Sequence, residues 1–230
     1  MTRLDAQKEI EREGGWMSPV YQEFLPYEAN ANRMRVYGGL VIPGLLQAKT
    51  YIEPVNHQEI VGRPNPEIDI AQRALRLRRQ KVLDELKGKP GQERVSFVVS
   101  EAAVHQMVTD DPRVRIQQID HLIDKSYDFP VRLLPFTAAH VGPPGIITEM
   151  VGPYGPSGEE ERVIAWESHS PDRVRGGILR PTPPEQAPGP FEAYDRALAA
   201  AEAAALSLED TRIHLDDLMF RFKGDAGLLP

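Results

Sequence analysis

VIPGLLQAKTY, residues 41–51, is an apolar run that is broken at Pro43-Gly44 and restarted as Leu45-Leu46-Gln47. Proline fixes φ and glycine leaves the backbone free to turn, so the spacing predicts a short helix set at an angle to the segment before it. Leu45 and Leu46 read as core. Leu45, Ala48 and Ile52 fall on one face, and Pro54 is expected to end the helix. Gln47 is the polar residue left over, expected either to hydrogen-bond to the arginine- and glutamine-bearing helix downstream or to face a pocket.

Upstream, residues 19–37 place Val20, Phe24, Tyr27, Ala31 and Met34 at helical spacing with Gly38-Gly39 as a stop, which predicts one amphipathic helix. Downstream, RPNPEIDIAQRALRLRRQKVLDELKGKPG (63–91) puts Ile68, Ala71, Leu75, Val82 and Leu86 on one stripe of a long helix. RVSFVVS (94–100) is β-branched and aromatic, a strand that leads into a short helix, EAAVHQMV. Pro112 opens a further helix with Val114, Ile119, Leu122 and Ile123 inward, and VRLLPF follows as a strand. GIITEMVG and RVIAWES read as two strands joined by the long loop 153–161. RPTPPEQAPGP (180–190) is too proline-rich for a regular element and reads as a linker or surface arm. After it comes an alanine-rich helix, and Ser207 with Asp210 marks the cap of a last one.

The expected fold is therefore α+β, with a helical N-terminal half, a small mixed sheet of about four strands carrying packed helices, and C-terminal helices. Residues 16–222 are assigned to one domain, preceded by a charged segment, 1–15, and followed by a tail, 223–230. The 230 residues carry a net charge of -7, which disfavours the basic footprint of a DNA-binding surface. The absence of cysteine excludes disulfides, thiolate nucleophiles and thiolate-bound zinc. No secretory h-region or membrane-spanning run is present, so the expected location is cytoplasmic, with no membrane partner.

The chemistry-bearing candidates are scattered. Arg76 and Arg79 lie three apart in RLRRQ, able to hold a carboxylate or phosphate through forked hydrogen bonds, or to make a buried ion pair with Glu28 or Glu101. Glu101 and His105 share a helix face just behind a strand end, where acid-base pairs and local salt bridges both occur. His140 sits in a glycine- and proline-rich turn. Glu149 and Glu167 fall within apolar strands, and if their faces are buried each needs a partner. The six histidines lack the spacing of a zinc-binding helix pair, and neither a phosphate-binding glycine loop nor a nucleophile elbow occurs, so no metal and no cofactor are expected.

Taken in order, YEANANRMRVYGGLVIPGLLQAKTY, RLRRQ, VVSEAAV, QQIDHL, VRLLPF, VIAWES and YDRALAAAEAAALSLEDT resemble the uncharacterised C-terminal domain of actinobacterial XRE-type helix-turn-helix regulators. The resemblance runs over roughly residues 16 to 221, and the ordered set is more specific than any one piece. It implies family positions at Glu28, Ala29, Pro43 to Gln47, Arg76, Arg79, Gln80, Glu101, Gln118, Leu122, Pro135, Phe136, His140, Gly142 and Glu167. Two departures matter. The DNA-binding domain is expected to be missing, and the usual Asp-Glu after the first strand is Ser100-Glu101.

The resemblance implies a stand-alone small-molecule-binding or interaction domain in regulation or specialised metabolism, with Gln47, Arg76, Arg79, Gln80, His140 and Glu28 as ligand-binding candidates. One alternative is a biosynthetic enzyme using Glu101, His105, Glu149 and Glu167 for acid-base or cyclisation chemistry. Another is a protein-interaction module gripping a small protein partner through 180–190 and the terminal helices, and a homodimer is also open. An enclosed pocket lined by two or more of the carboxylates Glu101, Glu149 and Glu167 with His or Arg would favour binding or catalysis, and a filled interior with an exposed apolar patch would favour a partner.

Overall fold

The Asn30-Ala31-Asn32 triplet decides how the N-terminal half folds. In the computed structural model, which describes residues 19–59, 66–88, 94–138, 145–170 and 173–228, the first helix, α1 (Pro19–Ala29), stops at this triplet. The Asn30 side-chain amide donates to the Pro26 carbonyl at 2.8 Å and the Asn32 amide donates to Val151 at 2.7 Å. The chain then runs as strand β1 (Arg33–Gly38). The single helix expected over 19–37 is thus a helix and a strand, because Met34 fits a helical stripe and a strand alternation equally well.

The Pro43-Gly44 break produces a single 3₁₀ turn, Gly44–Leu46, followed by α2 (Lys49–Glu59). Pro54 lies inside α2 and does not end it. The long helix expected after residue 63 is likewise divided, into α3 (Pro66–Arg79) and α4 (Val82–Leu86), with Gln80-Lys81 as the turn between them. Strand β2 (Val95–Ser100) runs straight into α5 (Glu101–His105), where the Ser100 hydroxyl accepts from the Ala102 amide at the helix start. Helix α6 (Pro112–Asp128) has Asp111 as its cap and Pro112 in its first turn. Strands β3 (Val131–Leu134), β4 (Ile146–Gly152), β5 (Glu161–Ser170) and β6 (Arg173–Leu179) follow, then α7 (Pro190–Ala204) and α8 (Leu208–Asp225). The Ser207 hydroxyl accepts from the Asp210 amide at 3.0 Å, the cap expected from sequence.

The strands form one sheet in the order β3-β2-β1-β4-β5-β6. β1 pairs in parallel with β2, and β2 with β3, whereas β4, β5 and β6 add to β1 as an antiparallel meander. The class is α+β as expected, but the sheet has six strands where about four were anticipated. β1 and β6 are the two that were missed. No element is assigned to β6 from sequence, and its middle is Gly176 and Gly177, residues disfavoured in strands. A Cβ on Gly176 would lie 2.7 Å from the Val20 side chain and 2.5 Å from the Trp166 carbonyl, so glycine is what lets α1 lie directly on this end of the sheet.

Strand alternation sorts the core into two layers. On one face Met34, Val36, Phe97, Val99, Leu133 and Met150 pack against Leu45, Leu46, Tyr51 and Leu83 from the N-terminal helices and Ile119, Leu122, Leu215 and Leu218 from α6 and α8. On the other, Tyr37, Val98, Leu134, Ile147 and Ile164 receive Phe191, Leu198 and Ala201 of α7. Among the described residues no helix is long and apolar enough to cross a membrane.

Candidate functional site

The Gly44–Leu46 turn is tied down by side chains from the end of α3 and from α6. Gln80, at the turn after α3, donates to the carbonyls of Gly44 and Gln47 at 2.9 and 2.8 Å. Gln118 of α6, fully buried, donates to the Leu46 carbonyl at 2.9 Å and accepts from the Ala48 amide at 2.8 Å. These bonds satisfy backbone groups that a 3₁₀ turn in the interior would otherwise leave unpaired. Gln47 is itself buried: its side-chain amide donates to the Ile42 carbonyl at 2.8 Å, and its side-chain oxygen accepts from Arg76 at 3.3 Å. Gln47 therefore bonds to the arginine- and glutamine-bearing segment and also lines a pocket.

Arg79 forms the buried ion pair. Its guanidinium holds both oxygens of Glu28 at 2.6 and 2.8 Å, donates to the Tyr21 hydroxyl, and lies 4.8 and 5.2 Å from the ring centres of Tyr21 and Phe24. Burial works against the charge of Arg79, but Glu28 beside it outweighs that cost and holds the guanidinium above its usual pKa. Burial also pushes the Tyr21 phenol up, against the opposing pull of Arg79. The result is a polar cluster that is neutral as a unit and pins α1 to α3.

Between this cluster, the 3₁₀ turn and strands β4–β6 lies a cavity of about 230 Å³. Its apolar wall includes Phe24, Val36, Leu75, Ala165 and Ile178, and its polar lining carries Gln47, Gln72, Arg76, Thr148 and Glu167. Trp166 borders it from β5, but its ring lies on the α7 face, stacked on Tyr194. Gln72 matters most for function, because its side-chain oxygen is buried and has no hydrogen-bond partner among the described residues. A buried acceptor in that state costs free energy until a donor reaches it.

The candidates chosen from sequence are distributed over three places. Glu28, Gln47, Arg76, Arg79 and Glu167 line the cavity, and Gln80 stands behind it, holding the turn. Glu149 lies on the opposite face of the sheet, where Arg35 and Arg162 take both of its oxygens. Arg35 also reaches Asp195 at 2.6 Å and Glu202 at 3.0 Å, so this network fastens α7 to the sheet. Burial disfavours the charge on Arg35, but its bond to Glu149 and the nearby carboxylates more than offset this and keep its pKa above the ordinary value. Glu101 and His105 stand at the carboxyl end of β2, with the Phe136 amide donating to Glu101 at 2.6 Å. His140 and Gly142 lie outside the described residues.

Sequence reasoning missed Tyr21, Gln72, Thr148 and Trp166 as cavity residues. Gln72 was within reach: it lies four residues before Arg76, one turn along the same helix face. Thr148 and Trp166 depended on knowing that β4 and β5 continue into β6 under α1.

No curated protein and no solved structure matches the chain. A family match spans residues 21–217 and so takes in the turn, the arginine helix and all six strands: the chain belongs to the family described as a domain of unknown function, DUF5753.

Proposed function

We propose that this domain binds a small molecule in the cavity beside the Gly44–Leu46 turn. The observation that carries the reading is a partly open cavity with both apolar and polar lining, which includes Gln72, whose buried side-chain oxygen has no hydrogen-bond partner among the described residues. The volume of about 230 Å³ exceeds the roughly 150 Å³ that accommodates benzene in an engineered apolar cavity, and falls a little below the common range for drug-sized ligands. The fitting ligand is therefore a small metabolite with an apolar body against Phe24 and Ala165. Its N–H or O–H group meets Gln72, and its polar end faces Arg76 and Glu167.

Of the three carboxylates Glu101, Glu149 and Glu167, only Glu167 lines the cavity, where it is joined by Arg76 and by the Glu28–Arg79 ion pair. The acid-base candidates do not converge on this cavity: Glu167 lines it, Glu149 is held on the opposite face, and Glu101 with His105 stands at the end of β2, so binding is proposed for the cavity ahead of catalysis. The resemblance to the effector domain of helix-turn-helix regulators supports a role in regulation or specialised metabolism. The testing experiment is a thermal-shift panel of small polar-headed metabolites, run in parallel on wild type, Gln72→Leu and Ala165→Leu. A true ligand at about 100 times its dissociation constant stabilises by roughly 2.7 kcal/mol. It is expected to lose affinity in Gln72→Leu and in Ala165→Leu, each of which alters the cavity lining. A hit that raises the melting temperature equally in wild type and in both variants would place binding elsewhere.

A further inference from the structure

Glu101 and His105 are one helical turn apart on α5, and His214 reaches them from α8. The carboxylate oxygen and the two ring nitrogens lie within 4.8 Å of one another. Glu101 Oε1 is 3.4 Å from His105 Nε2 and 3.0 Å from His214 Nε2. Two ordinary hydrogen bonds to a carboxylate would explain the distances, but the geometry does not supply them. Both Nε2 atoms are buried, and neither makes a well-formed hydrogen bond to any described group.

The arrangement has what a cation needs. Ligands at about 2.0–2.1 Å from a tetrahedral zinc ion stand about 3.3–3.4 Å apart, close to the separations seen between the carboxylate oxygen and the rings. The Phe136 amide holds Glu101 Oε2 at 2.6 Å, which leaves Oε1 turned toward the imidazoles. The histidine side chains are 29% and 25% exposed, so solvent reaches the rim of the cluster and an ion has access.

We propose that Glu101, His105 and His214 form a site for a divalent transition-metal ion of the zinc class. One oxygen and two Nε2 atoms bind the ion, and the remaining position is left to water or a ligand. The site is separate from the cavity, since none of the three residues lines it, and it does not depend on the binding function proposed for that cavity. The spacing of histidines along the chain gives no sign of it, because the second histidine arrives from the last helix. With one anionic ligand, and Arg221 near enough to oppose positive charge on His105, the affinity falls below that of a thiolate site.

The test uses the full chain, stripped with a chelator and returned to chelator-free buffer. Zn²⁺ is titrated against a competing indicator, and Co²⁺ is followed by its visible absorption. The expected result is one ion per chain, weakened at least ~10-fold by His105→Ala and by His214→Ala and unchanged by His121→Ala on α6. Should the variants unfold, long-range ¹H–¹⁵N spectra of the wild-type rings identify the ligands directly, with Nε2 of His105 and His214 shifting on zinc addition. Wild-type protein that takes up neither ion, or that binds zinc with those two rings unmoved, would overturn the proposal.

Discussion

Pro43 and Gly44 are adjacent, yet the structurally demanding glycine is Gly38. The sequence reading gave Gly44 the freedom to turn, but its φ is not positive, and a Cβ there would meet only Arg79 Nη1 at 3.5 Å, an ordinary contact. At Gly38 a Cβ would lie 2.6 Å from the Pro43 ring and 2.8 Å from the Val41 carbonyl. Pro43 is packed flat on the end of β1, and only hydrogen fits beneath it. Gly44→Ala is therefore expected to stay within about 1 kcal/mol of wild type, because alanine restricts the unfolded chain without straining the native one. Gly38→Ala should cost about 1–3 kcal/mol through forced displacement of the ring. Urea unfolding of the two variants side by side checks this; equal losses would mean that the turn, and not the close approach, sets the requirement. At the same scale, Glu28→Gln leaves Arg79 buried without its counter-charge. It is expected to cost about 3–5 kcal/mol in the same measurement.

Element boundaries show where sequence is informative and where it is not. Ser207 with Asp210, Pro112 after Asp111, and the run from β2 into α5 were all legible, because each is fixed by a local hydrogen bond that names its own residue types. The strand Arg33–Gly38 was not, since its inward residues Met34 and Val36 are confirmed as a strand only by β2 and β4 on either side. The turn at Gln80 was also hidden, because an unbroken apolar stripe runs past it and the bonds that hold it come from a loop more than thirty residues earlier.

At the start of α7 the Glu192 carboxylate accepts from the Thr182 amide at 2.8 Å and the Gly189 amide at 2.7 Å. The Thr182 amide foremost, with the Thr182 hydroxyl and the Gly189 amide, holds its pKa down at about 2 against an ordinary 4.5. A carboxyl depressed on folding stabilises the native state above its unfolded pKa, and that contribution disappears as pH falls from 4.5 toward 2. Melting curves of wild type and Glu192→Ala should thus differ at pH 7 and converge near pH 2. A gap that is constant across that range would assign the residue no role in its ionised form.

At the scale of the whole molecule, the sheet separates two tasks. One face is closed by α7 through Phe191, Leu198 and the Arg35–Glu149–Arg162 network. The other is covered by helices that meet over β4–β6 incompletely, and the gap is the cavity. Most of the cavity's polar residues were legible, Glu28, Gln47, Arg76, Arg79 and Glu167. Tyr21 and Gln72 lie on the same helices as Glu28 and Arg79, whereas Thr148 comes from a strand whose place beside the cavity could not be read without the glycine-bearing β6. For the same reason His214, which belongs to no motif, could not be joined to Glu101 and His105 from spacing alone.

That the cavity holds a ligand is tested most directly by native mass spectrometry of the freshly purified chain from its own cell, comparing wild type with Ala165→Leu, which places a larger side chain on the cavity wall. The account predicts a non-covalent small-molecule adduct on the wild type, lost in Ala165→Leu while both proteins melt as folded domains. Bare, identical spectra for the two, together with no thermal shift from the low-molecular-weight extract of that cell, would contradict it.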